Sequence, residues 1–212
     1  MKLITLVLSG TLLFIGSTPE LANGQDGKPN LPNSWEEFVE FHQNSGAFGT
    51  FSTQGETKDM WVGINGGQKY TATYTLELSD DQNVILSSHR MATENGQVIS
   101  VGAGMQYWNA KSEKVMASYS GFDQGKLFSG QSKLRSMDPE NKTIEWTYVE
   151  KSKGKSTTYI QTVTQTSRNT KVQTAKKKSG GDSWAEELTR STGSGGRKSR
   201  RNFMPQLFRR QR

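Results

Sequence analysis

His42 and His89 are the only two histidines in the 212-residue chain, and there is no cysteine. A zinc site draws three or four ligands from nitrogen, sulfur and oxygen donors, so this composition offers little to build one. It excludes thiolate sites and disulfides outright. Carboxylates are more plentiful. Glu77, Glu94, Glu113, Asp123 and Glu145 are candidates for a glycosidase-type pair, which needs two carboxyls at a set separation across a cleft. Their places at turns or outward strand positions read as solvated surface instead. Three short stretches imitate catalytic loops. Ser118-Tyr119-Ser120-Gly121 lacks the first glycine of a nucleophile elbow. Lys153-Gly154-Lys155-Ser156-Thr157 has Val149 where a phosphate loop needs glycine, and it falls between strands rather than before a helix. Gly102-Ala103-Gly104 lacks the third glycine of a dinucleotide fingerprint and opens no helix; small residues there let strands or a ligand approach closely. No catalytic set, metal site or cofactor is expected from these residues.

The elements that must hold these side chains follow from periodicity. Residues 1–24 place Lys2 before a mostly apolar run over 3–15 and end at Ala22-Asn23-Gly24, the order of a secretory signal peptide. The run is too short to cross a bilayer, which takes about 20 apolar residues, so no transmembrane segment is expected and the product is expected to be secreted or periplasmic. Residues 25–33, with two prolines, read as a flexible leader. Ser34 and Glu37 then form a capping box. Trp35, Phe38, Val39 and His42 recur at helical spacing and Gly46 supplies a stop, predicting one short helix over 35–44.

Beyond Gly46 the period becomes two. Tyr74, Leu76 and Leu78 alternate with Thr73, Thr75 and Glu77. Ile144, Trp146 and Tyr148 alternate with Thr143, Glu145 and Thr147. Tyr159, Gln161 and Val163 form a third such set. Alternation of this kind puts one face in a core and the other in water. Turn residues recur about every 10 to 15 positions, as in a meander of antiparallel strands. Strands are expected near 47–54, 59–65, 69–79, 84–91, 97–108, 114–122, 126–135, 142–150, 157–166 and 170–178. Residues 183–189 read as a further strand or a helical turn. A long meander exposes two sheet edges, and closure into a barrel removes them. The expected fold is therefore mainly β: an antiparallel up-and-down barrel of about eight to ten strands over residues 34–190, with one N-terminal helix.

The strand order carries a resemblance. Gly49-Thr50-Phe51 stands where lipocalin-like barrels often have Gly-x-Trp, with Phe51 in place of the Trp. Tyr107-Trp108-Asn109, Val115, Ser120-Gly121-Phe122-Asp123 and Gly125 repeat a strand, turn, strand, glycine-turn pattern. From Trp35 to about Arg190 the chain resembles secreted bacterial lipocalin-like (calycin-type) barrels of unknown function. The resemblance implies a barrel with an interior cavity and brings no catalytic residues. Some related barrels use a histidine as an axial haem ligand, a role weighed here for His89 and His42 against the plainer reading of packed side chains. The favoured function is non-enzymatic binding of a small apolar or amphipathic molecule between inward aromatics. Tyr74, His89, Tyr107, Tyr119, Trp146 and Tyr148 are the candidate ligand-binding residues. Trp108 lies on the opposite face from Tyr107, so at most one of the two points inward.

Residues 189–212 hold eight of the 27 lysines and arginines and no acid, so the rest of the mature chain is nearly neutral. Residues 191–212 read as a disordered basic tail, with Phe203, Met204, Leu207 and Phe208 between the charges. The alternative function is an envelope-surface protein whose tail contacts anionic lipid or glycan; nucleic acid fits an exported protein less well. A carbohydrate-active enzyme is a third reading.

Overall fold

Ten antiparallel strands in simple sequence order close on themselves, β1 pairing with both β2 and β10. The structure, a computed structural model, describes residues 30–57, 64–152, 154–179 and 183–190. The expected signal peptide, almost all of the leader and the basic tail lie outside the described residues. Helix α1 (Trp35–Ser45) precedes β1 (Gly49–Glu56), β2 (Lys69–Leu78), β3 (Val84–Thr93), β4 (Val98–Asn109) and β5 (Lys114–Asp123). β6 (Lys126–Asp138), β7 (Thr143–Ser152), β8 (Lys155–Ser167), β9 (Thr170–Lys177) and β10 (Ser183–Arg190) complete the ring. Of the strand expected at 59–65, residues 59–63 lie outside the described residues; Ile64 and Asn65 belong to the β1–β2 connection. Residues 183–190 are a strand, not a helical turn, because closure against Phe51 and Ser52 of β1 requires a tenth partner. Among the described residues no helix is long and apolar enough to cross a membrane.

The helix forms where its capping signal stands. The Ser34 hydroxyl accepts from the Glu37 amide at 3.3 Å. The Glu37 carboxylate reaches one residue further back than a capping box predicts, accepting from the Asn33 amide at 2.8 Å. At the other end Gly46 takes the left-handed conformation (φ 75°), and its amide donates to the Gln43 carbonyl. The apolar stripe covers one end of the barrel: Trp35, Phe38, Val39 and Phe41 pack on Ile85, Val115, Leu134, Met137, Ile144 and Trp146. Phe38 is wholly buried, and burying each such side chain stabilises the fold by about 1.5–3 kcal/mol. Trp35 adds a hydrogen bond from its indole Nε1 to the Gln82 carbonyl at 2.6 Å.

Arg190, the last residue of β10, ties helix, β1 and barrel closure together. Its guanidinium donates to the Phe48 carbonyl (2.8 Å) and the Gly46 carbonyl (2.6 Å) and lies over the Phe51 ring, 4.7 Å from its centroid. Lys171 approaches the same ring at 4.1 Å. This explains the Gly49-Thr50-Phe51 motif: a Cβ at residue 49 would collide with Arg190 Nη1, and Phe51 is the ring beneath the cations.

Period-two alternation then decides what faces inward. The hairpins at 78–84, 109–114, 138–143 and 167–170 lie at the helix end. Those at 93–98, 123–126 and 152–155 lie at the opposite mouth. The 123–126 turn is tight: Gln124 and Gly125 both have positive φ (49° and 74°), the pair a two-residue hairpin of this type demands.

Candidate functional site

Inward side chains of the helix half are apolar and packed. Those of the mouth half combine a second, smaller buried cluster, Ile64, Tyr70, Ala72, Met91 and Ile99, with rings and carboxylates, several of them partly exposed. Tyr74 of β2, His89 of β3, Tyr119 of β5 and Phe128 of β6 form a continuous row. Successive ring centroids lie 5.9 Å (Tyr74–His89), 5.7 Å (His89–Tyr119) and 6.2 Å (Tyr119–Phe128) apart, with interplanar angles of 23°, 19° and 15°. β4 runs between His89 and Tyr119 and places Gly102 and Gly104 beside the two rings. A Cβ at Gly102 would stand 2.8 Å from the Tyr119 ring and 3.0 Å from His89. The Gly102-Ala103-Gly104 stretch is thus a gap in the wall through which two side chains from non-adjacent strands meet. On the far side Tyr148 of β7 lies 6.1 Å from Tyr159 of β8, and Gly130 of β6 leaves room for the Tyr148 ring.

His89 is fully engaged. Its Nδ1 is 2.6 Å from the Tyr119 hydroxyl and its Nε2 is 2.7 Å from Ser100 Oγ, which also reaches the Phe122 carbonyl at 3.3 Å. One orientation satisfies every group. Tyr119 donates to Nδ1, Nε2–H donates to Ser100, and Ser100 donates to the carbonyl. Burial holds the imidazole pKa down at about 4, so the ring is neutral at pH 7. Burial pushes the Tyr119 hydroxyl well above its ordinary range, which keeps it a donor. The chain of donors ends on a backbone carbonyl and points the serine proton away from the histidine, opposite to what a nucleophile needs. With both nitrogens committed, His89 has none left for a haem iron. His42 is likewise a core residue. It is 2% exposed on the buried stripe of α1, and its ring meets Phe38, Phe41 and Phe48 at centroid distances of 4.5, 5.6 and 5.7 Å.

Three carboxylates share the mouth half. Tyr74 donates to Glu186 at 3.1 Å. Glu186 has its pKa raised by burial, an effect the Tyr74 hydrogen bond partly offsets. Glu150 is raised by burial and by the negative charge of nearby Asp123. Asp123 is raised by burial, opposed by Lys126. All three stand on the inward parity of their strands. Among the described residues no group of three or more metal-ligating side chains converges.

The six expected contact residues therefore divide. Tyr74, His89, Tyr119 and Tyr148 meet in the mouth half. Trp146 points inward but lies in the helix half, 5.9 Å edge-on to Phe38 and 6% exposed, a core position. Tyr107 stands on the outer face, because its neighbours Gln106 and Trp108 bracket the inward parity set by Ile85↔Gln106 and Trp108↔Val115. Phe128, Tyr159, Glu150 and Glu186 complete the group. Tyr159 and Glu150 were readable from alternation, since they continue the Tyr159-Gln161-Val163 and Ile144-Trp146-Tyr148 faces. Glu186 was hidden by the ambiguity of its segment. Glu145, one of the acids weighed for catalysis, points outward and pairs with Arg135 at 3.5 Å, both partly exposed. A scan of protein-family models finds no match to the chain, and a search of curated proteins finds none either.

Proposed function

We propose that the protein is an exported, non-enzymatic binding barrel that holds one small amphipathic molecule in its mouth half. The observation that carries this reading is the flat row Tyr74–His89–Tyr119–Phe128, whose members face inward and yet retain partial exposure. Rings stacked against a glycine-lined wall offer a slot for a planar or cyclic body. The carboxylates sharpen the chemistry. Asp123, Glu150 and Glu186 accept hydrogen bonds and, when ionised, repel anions. The favoured ligand therefore carries hydroxyl or amino donors on an apolar frame, and a fatty-acid carboxylate is disfavoured. An enzyme reading draws less support, since His89 is partnered by a tyrosine and a serine rather than an acid.

Native mass spectrometry of protein purified from its own host tests the reading. A retained small molecule is expected, lost in Tyr119→Ala and weakened about tenfold or more in Glu186→Gln. Binding unchanged in both variants, or no ligand retained and none captured from a panel of amphipathic amines and alcohols, would count against it.

A further inference from the structure

The outer face of the barrel carries exposed apolar cross-strand partners, Leu86 with Met105 along the wall and a second group at the mouth rim. Val101, Phe122 and Leu127 are direct cross-strand partners on the outer face of β4, β5 and β6, and they are 39%, 52% and 64% exposed. Phe122 and Leu127 flank the tight 123–126 hairpin, so they sit at its tip rather than along a broad wall. The neighbouring arc of the rim carries outward lysines: Lys151 at the end of β7, and Lys176 and Lys178 at and just past the end of β9, while Lys126 and Lys155 stand on the inward parity of their strands. Lys151, Lys155, Lys176 and Lys178 are all exposed. Within residues 120–134, 149–152, 154–160 and 174–179 the only acids are Asp123 and Glu150, and both point into the barrel. The opposite, helix-bearing end carries both signs, Glu36, Glu37, Glu40, Asp80 and Asp81 together with Lys111, Lys142 and Arg168, and elsewhere on the mouth Glu56 and Glu94 are exposed.

We infer that the mouth rim docks on an anionic membrane surface, with Phe122 and Leu127 entering the headgroup layer and the lysines facing the lipid phosphates. A basic arc fits an anionic partner of any kind. Two adjacent, half-exposed apolar side chains at a hairpin tip distinguish a bilayer from a soluble polyanion, because only the bilayer offers them an apolar layer to enter. The orientation presses the ring-lined mouth against the surface and turns the helix end away from it. This docking stands independently of what the interior binds.

The test uses the full mature chain in co-flotation with vesicles of phosphatidylcholine containing phosphatidylglycerol, and with phosphatidylcholine alone. Binding to the anionic vesicles only, falling with salt, is expected. Lys151→Gln/Lys176→Gln/Lys178→Gln should weaken it by about a hundredfold, at about fivefold per lysine. Phe122→Ser/Leu127→Ser should weaken it about tenfold. All five side chains are exposed, and unchanged circular dichroism and melting temperature establish that the variants fold. A further full-length variant, Arg200→Gln/Arg201→Gln/Arg209→Gln/Arg210→Gln, separates the rim from the basic tail. Loss of binding in that variant with none in the rim variants overturns the inference. A lysine effect without a Phe122/Leu127 effect also overturns it, and assigns the rim to a soluble polyanion.

Discussion

Replacing His42 with leucine should make the protein markedly more acid-resistant. His42 is 2% exposed, and among the described residues neither ring nitrogen has a hydrogen-bond partner. Burial, with a smaller contribution from the charge of Lys171, lowers its pKa from 6.5 to about 3. The fold therefore holds the neutral ring, while the unfolded chain takes up a proton below pH 6.5. Between those values the unfolded state binds more protons, so stability is full above pH 6.5 and is lost as pH falls towards 3. At about 1.36 kcal/mol per unit, the whole window is worth about 5 kcal/mol, and the part above pH 4 about 3 kcal/mol. Leucine has a similar volume and no proton to gain. At pH 7 it removes two unmet polar atoms, each costing about 1–3 kcal/mol, and gives up the edge-on contact with Phe38, worth about 1 kcal/mol; a small net gain is expected there.

The measurement is urea unfolding followed by tryptophan fluorescence at pH 7, 5.5 and 4, on the wild type and His42→Leu. The difference between the two isolates His42. The raised carboxylates, Asp123, Glu150 and Glu186, favour the fold in acid, and His89 opposes it, but both act equally in the two proteins. The advantage of the leucine variant should grow by about 3 kcal/mol from pH 7 to pH 4. An advantage that stays flat across this range would mean that His42 is solvated or paired in the folded protein, and the packing argument for the helix end would fail with it.

Arg190→Gln removes three charge-assisted bonds, to the Phe48, Gly46 and Arg168 carbonyls, and the cation over Phe51; a loss of about 2–4 kcal/mol is expected, read as a fall in melting temperature. Gly130→Ala places a Cβ inside the Tyr148 ring, so a comparable destabilisation is expected. The additional change Tyr148→Ser should relieve most of it, and a double-mutant cycle with no coupling would refute the assigned contact.

Much of this fold was legible because period-two alternation survives in most strands. Tyr74-Leu76-Leu78 and Ile144-Trp146-Tyr148 each put one face inside, and the helix was announced by Ser34, Glu37 and its apolar spacing. What alternation cannot tell is how far along the barrel axis an inward residue sits. Trp146 and Tyr148 share a face, yet one lies under α1 and the other in the mouth half, because the helix covers only one end. Nor does a single strand reveal its partner. The meeting of His89 with Tyr119 depends on two registers and on β4 presenting glycine between them, and neither is written in the sequence around either residue. Glu186 needed β10 to exist as a strand, which only the closure against β1 determines.

The division along the axis separates the large apolar core under α1 from a half in which rings, carboxylates and a smaller apolar cluster share the interior. The larger core lies where α1, Arg190 and the strand ends at that side converge: Phe38, Ile85, Leu134 and Leu188 are each at most 2% exposed. The mouth half buries carboxylates with raised pKa values, replaces side chains by glycine at 102, 104 and 130, and exposes Phe122 and Leu127. Each of these choices costs stability on its own. These departures gather at the end away from the helix, the end to which the proposed binding and docking are assigned.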